Sequence, residues 1–250
     1  MSKPGINEFF DINKFPKEKG ILFFPLSISN LDTKQRPEIL IQHIVDFIPK
    51  VAMPQIGLNF VYSDTLYLHS DELAYVLKQK HMEMIISHRN AIRKLIEKKR
   101  MNLQIQHAFS FESWSQLYLG TRDFSDKFRE IRKLYERDEN LQKYVNEDCT
   151  YFGKECSENQ INFFLEESLM AYLAVKGKVR FQNDYIEDQQ KWILQAYPGF
   201  PPKTQVYLFQ LNPFKLENPD NFYENAFYDL EKKQLIEYDR VDLETYNLDS

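Results

Sequence analysis

The chain has little cysteine, little glycine and no long apolar run. Its two cysteines, Cys149 and Cys156, cannot build a disulfide framework, and a single pair lacks the spacing of a structural zinc site. They read as ordinary thiols of a reducing compartment. The seven glycines include no glycine-rich loop of the kind that cradles phosphates, so nucleotide-dependent chemistry has no support. No apolar stretch approaches the ~20 residues that span a bilayer. Residues 1–19 lack the apolar centre of a signal peptide. The expectation is a soluble, cytoplasmic protein with no membrane partner. The histidines, His43, His69, His81, His88 and His107, are scattered and form no metal-binding pair, so no metal is expected. None is placed by motif to serve a Ser-His-Asp triad, which weighs against a serine hydrolase.

What is present is a large stock of core-forming residues. With 20 Phe and 15 Tyr among 250 residues, the chain can fill a sizeable core, and one domain over 1–250 is the default. Residues 1–19 read as an irregular arm. Ile21 to Leu26 is an apolar run of strand length. Pro37 opens a helix with apolar positions at helical spacing, and Gln55 to Tyr62 is a second strand. This β-α-β order implies a right-handed crossover and a parallel sheet. A long helix follows from about Asp71 to Arg100, then a third strand over Leu103 to Phe109. A helix around Trp114 and another over Asp123 to Asn146 come next. Ser157 and Gln160 resemble a capping box opening a helix that Gly177 ends. Trp192 to Tyr197 and Gln205 to Leu211 read as the fourth and fifth strands, and 212–250 as an acidic tail.

Four groups of residues carry chemistry. Ser27 follows the first strand, where a parallel sheet presents its carboxyl edge to ligands; the plain alternative is a turn-forming serine. Glu166 and Glu167 interrupt an apolar helix. Adjacent positions point about 100° apart, so one would face the core and need a partner such as an ammonium group, unless both lie on the helix surface. Arg89, Arg93, Lys94, Lys98, Lys99 and Arg100 crowd one helix, and Arg122, Lys127, Arg129, Arg132, Lys133 and Arg137 follow. Such a run is either a solvated face or a footprint for nucleic-acid phosphates. Tyr197, before Pro198-Gly199, ends a strand at the same edge as Ser27, or simply marks a turn.

In order along the chain, these segments resemble the tRNA-dependent cyclodipeptide synthases. The segments are Pro25-Leu26-Ser27-Ile28-Ser29-Asn30, Asp64-Thr65-Leu66-Tyr67-Leu68-His69, Ser87-His88-Arg89-Asn90-Ala91-Ile92-Arg93-Lys94, Phe111-Glu112-Ser113-Trp114, Phe163-Phe164-Leu165-Glu166-Glu167 and Tyr197-Pro198. Tyr197-Pro198 is similar to the family's Tyr-Pro subfamily. The resemblance implies a Rossmann-like α/β domain, with a mostly parallel sheet flanked by helices, similar to class I tyrosyl- and tryptophanyl-tRNA synthetases but without ATP. It implies two aminoacyl-tRNA substrates, no cofactor, and a ping-pong reaction through aminoacyl- and dipeptidyl-esters of Ser27. Glu167 would hold the substrate ammonium, Tyr197 would orient it or relay a proton, and Arg89 to Arg100 would hold tRNA.

Two departures stand out. Phe163 occupies the position of a family tyrosine, so either that hydroxyl is dispensable or the register slips and Glu166 is the acid. Pro25 stands where a glycine is usual, and Ser29 is a rival nucleophile. Two alternatives stay open: a non-catalytic tRNA- or RNA-binding protein, and a transferase that passes the aminoacyl group to another acceptor. Monomer is the default state.

Overall fold

The strand Ile21 to Leu26 expected from its apolar run is β1 (Lys19–Leu26), and it lies inside a sheet rather than at its edge. The structure, a computed structural model, describes residues 19–51, 56–64, 74–103, 108–153, 155–181 and 190–246. β1 pairs in parallel with β2 (Ile56–Tyr62) on one side and β4 (Gln190–Tyr197) on the other. β3 (Ala108–Ser113) flanks β2, and β5 (Ala226–Asp229) flanks β4, again in parallel. β6 (Gln234–Glu237) closes the far edge antiparallel. The order is β3-β2-β1-β4-β5-β6, the doubly wound arrangement.

Both faces of β1 are apolar because both are covered. Leu22, Phe24 and Leu26 pack with residues of α1 (Pro37–Val51) and α2 (Ala74–Leu103). Ile21 and Phe23 belong to the larger core built by α3 (Trp114–Gly120), α4 (Phe124–Tyr135), α5 (Glu139–Tyr151), α6 (Glu158–Val175) and α7 (Lys203–Leu211). Near-continuous apolar strands are what a parallel sheet buried on two sides requires. A Cβ at Gly20 would stand 1.9 Å from the Trp192 ring, so β1 meets β4 there only because residue 20 is glycine. The described residues thus form one α/β domain with a mostly parallel sheet between helical layers. Among them, no helix is long and apolar enough to cross a membrane.

Several expectations need correction. Gln205 to Leu211 is not a strand but α7. The buried carboxylate of Asp148, on α5, accepts from the backbone N–H groups of Lys203 (2.9 Å) and Thr204 (2.8 Å) and from the Thr204 hydroxyl (2.6 Å). It thereby satisfies donors that the first turn of a helix leaves orphaned, and no local residue announces it. The third strand lies later than expected: Leu103 still belongs to α2, and pairing with β2 runs from Ala108 to Ser113. The helix expected over Asp123 to Asn146 is two, because Asp138 caps a new one by accepting from the Leu141 N–H at 2.9 Å. Residues 212–250, expected as an acidic tail, supply β5 and β6. Of the arm expected over 1–19, Lys19 belongs to β1 and the rest lies outside the described residues, as do the start of the long helix at Asp71 and the segment Thr65 to His69.

Candidate active site

At the junction of β1 and β4 the strand order reverses, and in open α/β sheets the carboxyl ends of the strands at such a point are where ligands bind. Ser27 is the first residue after β1 and Tyr197 the last of β4, so these two predicted residues flank that point. Ser27 is half-buried and held at its backbone. Its N–H donates to Gln35 Oε1 at 2.8 Å, and its carbonyl accepts from the Asn30 N–H at 2.9 Å. Gln35 also donates from Nε2 to the Pro25 carbonyl at 3.1 Å, clasping both sides of the turn.

His88 on α2 holds that clasp. Its Nε2 lies 2.7 Å from the Gln35 carbonyl, which only accepts, so Nε2 carries the hydrogen. Nδ1 then accepts from the Tyr62 hydroxyl at 3.1 Å. Burial lowers the His88 pKa, in keeping with a neutral ring. Gln35, His88 and Tyr62 therefore anchor the Ser27 turn. In the sequence His88 stands only among the scattered histidines and within a motif, Tyr62 only as a strand end, and nothing marks Gln35. The backbone of rival Ser29 sits in the short helical turn Ile28–Asn30, and its side chain lies outside the described residues.

The glutamates come from α6, a helix buried nearly all round, as its apolar run from Phe163 to Val175 dictates. Ser157 caps its start by accepting from the Gln160 N–H, and Gly177 follows its end at φ +69°, as expected. Neither glutamate lies on an exposed surface, which removes the option that both are solvated. Glu166 is 8% exposed, and Glu167 is partly accessible yet packed about by protein. Glu167 Oε1 accepts from the buried Ser63 hydroxyl at 2.7 Å, and Ser63 Oγ accepts from Trp114 Nε1 at 2.6 Å. Burial pushes the Glu167 carboxyl up to about 7, against the pull of the Ser63 hydrogen bond. Phe163, one turn earlier, is buried against Phe164 at a ring-centroid distance of 5.3 Å. Burial raises the Tyr197 pKa, and the nearby Glu167 charge raises it further.

Ser63 links these parts. It follows β2, its N–H donates to the Leu26 carbonyl at 2.8 Å, and its side chain reaches α6. It thereby connects the residue before Ser27 to Glu167. The next residue, Asp64, accepts from the Ser115 N–H at 2.9 Å and from the Ser115 hydroxyl, fixing α3 beside the same edge. Nothing local marks Ser63 in the sequence, where it is one residue past a strand and looks like a turn former.

The basic residues do not act as one stripe. Arg89 and Arg93 lie over the Phe111 ring, 5.4 and 4.9 Å from its centroid, and are half-buried. Lys94 and Lys98, one turn apart, are exposed; Lys99 is intermediate, and the Arg100 side chain lies outside the described residues. On α4, Arg129 pairs with Asp126, Arg132 with Glu158, and Lys127 lies over Phe214. In that second group Arg122, Arg129, Lys133 and Arg137 are exposed, whereas Lys127 and Arg132 are half-buried.

No protein-family model matches this sequence, and no curated protein does. Solved structures do. The chain is similar to a CDPS from Fluoribacter dumoffii, with a TM-score of 0.54 at 12% identity over 88% of this chain and 92% of that one. A CDPS from Staphylococcus haemolyticus gives 0.52 at 13%, covering 81% and 88%. A cyclodipeptide synthase from Bacillus thermoamylovorans gives 0.50 at 13%, covering 81% and 86%. At such identities the likeness is one of fold.

Proposed function

We propose that the chain is a tRNA-dependent cyclodipeptide synthase, an aminoacyltransferase that joins two aminoacyl groups into a diketopiperazine. The observation that carries this reading is that Ser27 and Tyr197 flank the point where the strand order reverses, with Glu167 near Tyr197 and joined through Ser63 to the residue before Ser27. The likeness in fold to solved cyclodipeptide synthases supports it.

The chemistry suits the residues. An aminoacyl-tRNA is already an activated ester, so a serine can accept the acyl group without ATP. The Ser27 hydroxyl attacks the ester carbonyl, its proton leaves to a base, and the tRNA hydroxyl departs. The amine of this aminoacyl-enzyme then attacks the ester of a second aminoacyl-tRNA, whose tRNA hydroxyl departs, giving a dipeptidyl-enzyme. The free amine of the dipeptide finally attacks the Ser27 ester, closing the ring and restoring the hydroxyl. Ionised Glu167 would hold the substrate ammonium, replacing part of its hydration shell. The Tyr197 hydroxyl, strongly held in its protonated form, is suited to donate a hydrogen bond rather than act as a base. Lys94 and Lys98 offer charge for tRNA phosphates without reading sequence. The Tyr-Pro subfamily, a cytoplasmic location and a monomeric state belong to the same proposal.

Mass spectrometry of bacteria expressing the chain, beside a Ser27→Ala control, tests it. A cyclic dipeptide made by the unaltered chain and absent from the control is expected. A product that survives in the control moves the nucleophile to Ser29. No product from folded protein, together with binding of charged tRNA, leaves the RNA-binding alternative.

A further inference from the structure

An indole N–H can only donate, so the bond from Trp114 Nε1 occupies the acceptor side of Ser63 Oγ. The single hydrogen of Ser63 is then directed to Glu167 Oε1, 2.7 Å away. Ser63 is fully buried, so water is poorly placed to replace this donor. Its backbone is fixed in turn by the bond from its N–H to the Leu26 carbonyl. The hydroxyl is therefore a donor of fixed direction, set by one chain of bonds from α3 through β2 to α6. We infer that Ser63 is a positioning residue, which ties the Glu167 carboxylate through its own backbone to Leu26, the last residue of β1, and favours the charged form of that carboxylate.

The inference rests on the proposed role of Glu167 as the acceptor of the substrate ammonium. A donor to the charged form of an acid favours that form. Tyr197 from β4 stays protonated and adds no charge, whereas Glu166 on the same helix and Asp148 from α5 work against the ionisation of Glu167. Among the described residues no cation faces it, so the donor pair Ser63 and Trp114 is what offsets burial.

The test follows the Glu167 carboxyl directly by ¹³C NMR titration of glutamate-labelled protein, with its resonance assigned from a Glu167→Gln variant. The pH–rate profile of cyclic dipeptide formation is measured beside it. Ser63→Ala is expected to raise the carboxyl midpoint by about one pH unit. The acid limb of the rate profile should rise with it, leaving the alkaline plateau within about two-fold. Ser63→Thr, which restores the hydroxyl, should return both toward their original positions. Trp114→Phe should move them the same way by less.

An unmoved midpoint in folded Ser63→Ala and Trp114→Phe protein would overturn the inference. So would a rate lost equally at every pH with the midpoint in place, since that is what a purely structural role gives. Absence of cyclic dipeptide from the unaltered chain would sink the proposed function instead, and the NMR titration would then decide on Ser63 by itself.

Discussion

At the residue scale, an enclosed carboxylate is a cost to the fold. The Glu167 pKa is raised from 4.5 to about 7, so between those values the folded chain holds a proton that the unfolded chain has released. Stability therefore falls as pH rises through that window, and the full penalty stands above it. Glu167→Gln removes the ionisation and keeps an acceptor for Ser63. It is expected to stabilise the fold by about 2 kcal/mol at pH ~8 and by close to nothing at pH ~4, allowing for partial solvent contact. Urea denaturation at the two pH values checks this, and product formation should be lost in the same protein. A site that is less stable than its inert variant is what a functional carboxylate leads one to expect. Ser27 and Tyr197 were legible because each ends an apolar strand run. Ser63 was not. A serine after a strand looks like a turn former, and its two partners, Trp114 and Glu167, are fixed only by the tertiary fold.

At the scale of elements, α2 divides its cations into two rows with different work. Lys94 and Lys98 face solvent, whereas Arg89 and Arg93 cover the Phe111 ring. Removing Lys94 and Lys98 together should weaken charged-tRNA binding for every tRNA alike and flatten the log K against log [salt] slope by about 2. Arg129→Ala, already paired with Asp126 on α4, should leave that slope unchanged. Filter binding across a salt series measures both. Composition located the charge but could not separate the rows, because what divides them is the neighbouring strand β3. The same limit explains α7. Its apolar spacing fits a strand about as well as a helix, and the deciding bonds come from Asp148, 56 residues from Thr204.

At the scale of the whole molecule, β1, β2 and β4 were readable, β3 was expected a few residues too early, and β5 and β6 were not readable. The β-α-β order of the first sixty residues dictates a parallel sheet, and the doubly wound order follows naturally from it. β5 and β6 are only four residues each and lie in an acidic stretch, so neither length nor hydropathy marks them. Yet they finish the core. Phe227 is fully buried between the rings of Phe200 and Tyr238, at 5.9 and 5.1 Å. Phe227→Ala is expected to cost about 3–5 kcal/mol in urea unfolding. Because Asp229 pairs with Tyr197 across β4 and β5, loosening this edge should also lower the rate of product formation.

The placing of β5 has a consequence for how the molecule is made. A ribosome delivers the chain from one end, and β4 emerges well before the strand that will lie outside it. Until then the outer edge of β4 offers unpaired backbone groups, the kind of template to which other chains add. The buried Asn221 side chain occupies part of that edge, bonding to both the N–H and the carbonyl of Ile193. It comes off the ribosome just ahead of β5. A nascent chain halted after residue 211 would already carry Ser27, Glu167 and Tyr197, but without that latch it would be prone to aggregate before it could act.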